Sequence, residues 1–175
     1  MSRNDLTVGF YDNFPSQIHL IESFASSLSS RQLQQKLVQI FYEINQKDFS
    51  FEEVTNPTIP DCKVIFEFGL ADSECFNYVD SEEEKKALDL IGKELLHTID
   101  FFCGIRYYKG KTEKKAPLKF DYYLLRTIYN KGTVEVHVHH EKGPRYISPQ
   151  DLTQLIFNKI NEGSIKKILK KLKTH

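Results

Sequence analysis

The chain contains no tryptophan, one methionine and three cysteines among 175 residues. Cys62, Cys75 and Cys103 are odd in number and show no C-x-x-C spacing, which argues against a disulfide framework and a zinc knuckle. No apolar run approaches the roughly 20 residues that span a bilayer. The opening residues also lack the basic-then-apolar order of a secretory signal. The expectation is a cytoplasmic chain with no membrane partner. Gly-rich phosphate loops, H-E-x-x-H and the nucleophile elbow are missing, which argues against nucleotide hydrolysis, a dinucleotide site and α/β-hydrolase chemistry. No cofactor is expected.

Net charge is also missing: 24 basic side chains balance 24 acidic ones. The balance hides a split. Residues 1–100 carry a net of −10 and residues 101–175 a net of +10. Such asymmetry points to an interaction surface rather than to a fold. The acid gathers between Asp72 and Glu84, and the base gathers on a loop after residue 108 and at the C-terminus.

With 40% apolar and 13% aromatic residues, the chain has enough apolar mass to fold as one domain. Pro15 to Leu28 reads as a helix with Ile18, Ile21 and Phe24 on one face. Leu33, Leu37, Ile40, Phe41 and Ile44 give a second helix a clear stripe after a serine cap at Ser29 or Ser30. Leu6 to Tyr11 is a candidate extra strand, and Phe49 to Pro60 a connection. Cys62 to Phe68 alternates as a strand. Ser81 opens a helix whose first turn, Glu82-Glu83-Glu84, suits the positive helix end. Strands follow at Thr98–Lys109, Leu118–Tyr129 and Thr133–His140. Ser148-Pro149-Gln150-Asp151 starts another helix, and Ile165–Leu172 reads as a last, basic one.

The expected fold is α+β: a four-stranded antiparallel sheet in the order β-α-β-β-β-α, helices on one face, preceded by two N-terminal helices. Residues 1–48 form the helical segment, 61–162 the core and 163–175 the basic terminal helix of one domain.

The hairpin between the last two strands sets which side chains share a face. A three-residue loop, Asn130-Lys131-Gly132, pairs Ile128 with Val134 and Leu124 with Val138. The open sheet face then presents Asp121 beside Glu141, Tyr123 beside His139, Leu125 beside His137 and Thr127 beside Glu135. Arg106, Asp100, Phe102, Tyr108, Lys63, Ile65 and Glu67 join them. Arg126 falls on the apolar face, opposite Val136.

Glu135-x-His137-x-His139-x-Glu141 is the run that carries most chemistry. Period two puts the four on one face. His137 and His139 could share a divalent metal with Asp121 or Glu141 as a third ligand, or serve as general bases. The alternative is a solvated strand whose charges discourage edge pairing. Cys75, among Asp72 and Glu74, makes a poor nucleophile, and Cys62 and Cys103 follow the buried alternation. Lys109, Lys111, Lys114 and Lys115, with Lys166, Lys167, Lys170 and Lys171, offer a patch for nucleic acid or an acidic protein. Phe102, Tyr108, Tyr123 and Tyr129 could stack unpaired bases. The leading expectation is a non-catalytic interaction module, self-associating through its charge asymmetry or its open sheet face. Nucleic-acid binding and a metal or enzymatic site are the alternatives.

Overall fold

The computed structural model describes residues 8–54, 62–109 and 119–172. The first expected helix is instead a strand. Leu20–Ser26 forms β1, with Glu22 and Phe24 buried and Ile21 exposed. Glu22 hides the alternation from the sequence, because a carboxylate stands where an apolar residue is expected; Lys171 Nζ meets it at 2.9 Å. Ser23, Ser26 and Ser27 further weaken any helix here.

Helix α1, Ser30–Asn45, forms as expected, and Ser29 and Gln32 close a capping box at its start. Its stripe of Leu33, Leu37, Ile40, Phe41 and Ile44 is buried. The stretch read as a connection holds strand β2, Asp48–Ser50, and a single turn of helix, α2, Phe51–Val54. Strand β3 runs Cys62–Asp72, and β4, Cys75–Tyr78, occupies the acidic loop. Helix α3, Ser81–Lys93, is capped by Asp80 rather than Ser81: the carboxylate Oδ1 accepts from Glu83 N at 2.8 Å. Strands β5 (Thr98–Lys109), β6 (Lys119–Asn130) and β7 (Thr133–Lys142) follow. Helix α4, Pro149–Asn161, starts on the Ser148 cap.

The basic terminal helix is also corrected. Ile168 and Leu169 are both buried while Ile165 is fully exposed, so no single helical stripe exists. Asn161 Oδ1 accepts from Ile168 N and Leu169 N, each at 2.9 Å, and leads the chain to the edge of β1. There Leu169–Lys171 forms strand β8. Near the N-terminus, Val8 and Tyr11 make isolated bridges to Asp72 and Ser73.

The eight strands form one antiparallel sheet in the order β2-β3-β5-β6-β7-β1-β8, with β4 beside β3. This overturns the four-stranded sheet and the two N-terminal helices. β3, β5, β6 and β7 are its centre; shorter or misread strands extend both edges.

The helices cover one face. Alternate residues Val64, Phe66 and Phe68 of β3 and Ile99, Phe101, Cys103 and Ile105 of β5 meet Leu37, Phe41, Ile91 and Ile156 in one core. Phe41 stacks on Phe68 at 4.0 Å and meets Phe101 edge-on at 4.7 Å, a geometry that adds to plain area burial. Asn45, at the end of α1, bonds both the N–H and the carbonyl of Phe68 and the carbonyl of Val79. It satisfies backbone groups where β4 leaves β3.

The β6–β7 hairpin has a two-residue turn, Lys131–Gly132, with Gly132 at φ 77°. Ile128 pairs with Glu135 and Leu124 with His139, one residue off the expected register. A one-residue slip exchanges the faces of a strand. Asp121, Tyr123, Leu125, Thr127 and Tyr129 therefore face the helices with Val134 and Val138. Arg126 lies on the opposite face, across from His137.

Candidate functional site

The register divides the expected site residues between two layers. Asp121 and Tyr123 lie under the helices, fully buried. Glu135, His137, His139, Glu141 and Arg106 lie on the other face, as the alternation requires.

Asp121 is the centre of a buried clasp. Its Oδ1 accepts from Arg145 N at 2.7 Å and meets His140 Nε2 at 2.8 Å. Its Oδ2 accepts from the Tyr107 hydroxyl at 2.5 Å and Tyr146 N at 3.0 Å. Tyr107 accepts from Ile147 N, and the Tyr123 hydroxyl donates to the Ile147 carbonyl. Burial and the neighbouring Asp121 push both phenols far above the ordinary tyrosine range, so they remain donors at any working pH. Burial, then Asp121, likewise raises the Cys103 thiol and keeps it inert. The clasp fastens the segment from Gly143 to Ile147, where Arg145 has φ 60°. An Asp–His pair can orient a nucleophile's base. Among the described hydrogen bonds, none joins His140 to a serine, threonine or cysteine side chain, and the pair is closed to solvent.

On the opposite face, the guanidinium of Arg126 makes a two-point ion pair with fully buried Asp100. Residues 8–19 cross this face as a strap. Phe10 and Phe14 flank the Arg126 guanidinium at 4.7 and 4.4 Å, and Tyr11 N donates to Asp100 Oδ2 at 2.8 Å. Beyond the strap lies a row of aromatic rings. Tyr11 meets Phe76 at 4.8 Å, Phe76 meets Phe102 at 5.7 Å, Phe102 meets Tyr122 at 5.6 Å and Tyr122 meets Phe120 at 6.1 Å. Gly104 makes room for it: a Cβ there would stand 3.3 Å from Phe102 Cε2 and 3.7 Å from the Tyr122 ring. Phe120 is 38% exposed, and the other rings are half-buried. Arg106 and Glu67 pair beside the row with side chains 42% and 33% exposed.

His137 contacts Glu135. His139 faces Gln17 O at 2.6 Å through Nδ1 and Glu141 at 2.9 Å through Nε2. Among the described residues, no group of three or more His, Cys, Asp or Glu side chains is placed to hold a metal ion. An interior cavity of about 30 Å³, lined by Phe24, Leu37 and Phe157, would hold a single water at most. Two open clefts, of about 390 and 770 Å³, bring no imidazole together with a carboxylate among their lining residues.

Among the described residues, the basic side chains do not form one footprint. Lys111, Lys114 and Lys115 lie outside the described residues. The strand ends that flank them, Lys109 and Lys119, are at the opposite end of β6 from the turn beside which β8 pairs, roughly 36 Å away along the strand. Lys166, Lys167 and Lys170 are exposed before and on β8, and Lys171 pairs with Glu22. The acidic start of α3 follows β4 at the other edge of the sheet, so the terminal lysines do not dock on it within one chain.

The sequence reading missed the aromatic row and the Arg126–Asp100 pair. Phe120-x-Tyr122 and Phe102-x-Gly104 carried the signal, but the expected pairing of Leu124 with Val138 puts Leu124 and every residue of the same parity on β6, Phe120 and Tyr122 with it, on the apolar face. Tyr123 and Tyr129, read as open-face stacking residues, face the helices instead. Comparison with known proteins gives no assignment: no family model, no curated protein and no solved structure matches the chain. Among the described residues, no helix is long and apolar enough to cross a membrane.

Proposed function

We propose that the chain is a non-catalytic protein-interaction module whose contact surface is the aromatic row, and that a second copy of the chain is the partner this surface fits. One contrast carries the reading. Asp121 and Asp100 are consumed in holding the fold, whereas Phe76, Phe102, Tyr122 and Phe120 remain half-buried or exposed in a continuous row. Exposed aromatic clusters with an adjacent arginine are the composition of interface centres. The flanking charges are self-complementary: Arg106 and Glu67 are both partly exposed beside the same row. A twofold contact brings Arg106 of one copy to Glu67 of the other. A cytoplasmic setting suits the exposed Cys75.

Nucleic-acid binding is the competing reading. Two features count against it: the separation of Lys119 from Lys166, Lys167 and Lys170, and the carboxylate of Glu67 beside the row. An acidic protein on Lys166, Lys167 and Lys170 would use a different surface.

Sedimentation velocity over about 5–500 µM at low salt tests the proposal. The wild-type chain self-associates with rising concentration. Phe102→Asp and Phe120→Asp abolish the association, and Leu95→Asp, an exposed site outside the row, preserves it. A wild-type chain that stays monomeric at the highest concentration overturns the reading. So does a labelled single-stranded oligonucleotide that binds the wild type and is lost in Phe102→Asp, which would assign the row to nucleic acid.

A further inference from the structure

Residues 8–19 are held on the sheet at three places. At the start, Gly9 N donates to Ala71 O at 2.7 Å, Asp100 N donates to Gly9 O at 2.6 Å and Ser73 N donates to Phe10 O at 3.0 Å. In the middle, Arg126 sits between Phe10 and Phe14. The far end rests on β7: His19 N donates to Val138 O at 2.8 Å, His140 N donates to His19 Nδ1 at 2.9 Å, and His139 Nδ1 faces Gln17 O.

That far end makes opposed demands on two imidazoles. His19 Nδ1 accepts a backbone N–H, so it must carry no proton. His139, by contrast, faces an acceptor at both nitrogens, Gln17 O and Glu141 Oε2. The rings lie 5.1 Å apart, and His140 stands 6.4 Å from His19. Arg145 adds a fixed positive charge near His19, while Asp121 engages His140 from the buried side and Glu141 engages His139 from the exposed side. A proton on His19 therefore removes an acceptor and adds a cation beside Arg145, His139 and His140.

We propose that the strap is gated by pH: protonation of His19 at Nδ1 releases residues 8–19 from β7 and uncovers Arg126 and the Phe76 end of the aromatic row. The gate rests on the reading of that row as a contact surface, because Tyr11 supplies its last ring. Release takes the Tyr11 ring off Phe76 and the Phe10 and Phe14 rings off the guanidinium, which stays paired with Asp100.

The direction follows from the site. Partial desolvation, then Arg145, His139 and His140, hold His19 below its ordinary value. In a released strap the ring titrates near its free value of about 6.5. The His19 contribution is therefore complete above about pH 6.5 and is lost as pH falls below it.

Amide hydrogen exchange, corrected for intrinsic rates and read at about pH 7.5 and 5.5, tests the gate. In the wild type, protection of residues 8–19 falls at the lower pH, by at most about tenfold with a free value of about 6.5, while protection of β5 and β6 is unchanged. His19→Asn stays protected at both values, because its amide oxygen accepts from His140 N and does not titrate. His19→Ala is unprotected at both. Equal strap protection of the wild type at the two values overturns the gate. So does an equal loss in His19→Asn, or a protected strap in His19→Ala. No partner enters the measurement, so a chain that fails to self-associate leaves this result untouched, and a fixed strap leaves the row's self-association untouched.

Discussion

Arg126 Nε lies 2.8 Å from Asp100 Oδ1 and Arg126 Nη2 lies 2.9 Å from Asp100 Oδ2, across the β5–β6 pair. The carboxylate is wholly buried, and the arginine is covered by two phenylalanine rings from the strap. The pair turns a charged patch of open sheet into a seat for residues 8–19. Arg126→Ala strands Asp100 and is expected to cost about 3–5 kcal/mol. Arg126→Lys keeps the charge but loses the planar fork and the stacking. Denaturant unfolding should rank the wild type above Arg126→Lys and Arg126→Ala last, and hydrogen exchange of residues 8–19 should follow the same order. Equal stability of Arg126→Ala and the wild type contradicts the role of the pair.

On the helix side, Asp121 carries four hydrogen-bond contacts, two of them to backbone N–H groups of the segment after β7. Asp121→Ala leaves those donors without an acceptor. The expected loss is about 3 kcal/mol, a fall in Tm of roughly 6–12 °C for a chain of this size. Asp121→Asn keeps acceptor capacity and falls between. Thermal unfolding followed by circular dichroism checks the order.

Two glycines on β7's flanks separate steric need from conformational need. Gly143 has φ 119°, and a Cβ there would stand 2.2 Å from the Phe120 carbonyl oxygen and 2.4 Å from Asp121 Oδ1. Gly132 has φ 77° but faces open space. Gly132→Ala is expected to cost about 1–2 kcal/mol, the ordinary cost of a left-handed alanine. Gly143→Ala must also move backbone and the clasp, and should fail to give a cooperative transition. Similar melting of the two variants contradicts the close approach at Gly143.

Much of the core could be read from the sequence, because Phe66, Phe68, Phe101 and Ile105 alternate cleanly and α1 carries an unbroken stripe. The hairpin could not be read. β6 is covered on both sides, by helices and by the strap, so apolar residues occur at both parities: Tyr123 and Leu125 inward, Leu124 and Ile128 outward. Asp121 and Thr127 face inward because the clasp and the Ile99 carbonyl satisfy them. Polar residues on the buried side and apolar ones on the other point to the wrong register. At the ends of the chain, Glu22 broke the alternation of β1, and the lysines between Ile165 and Leu172 imitated an amphipathic helix. In both places the apolar pattern is decided by strand partners distant in sequence, a tertiary effect that local periodicity does not contain. For the site, the face of His137 and His139 was legible from period two alone, while the aromatic row required the register.

The self-association surface is tested most directly by complementation between two charge reversals. Arg106→Glu alone places only acid beside the row, and Glu67→Arg alone places only base there. Both side chains are partly exposed, so neither change disturbs the core. In sedimentation at low salt, each variant alone should remain monomeric through like-charge repulsion, and an equimolar mixture should form a dimer. A mixture that stays monomeric, or single variants that associate as the wild type does, contradicts the assignment of the aromatic row as the contact surface.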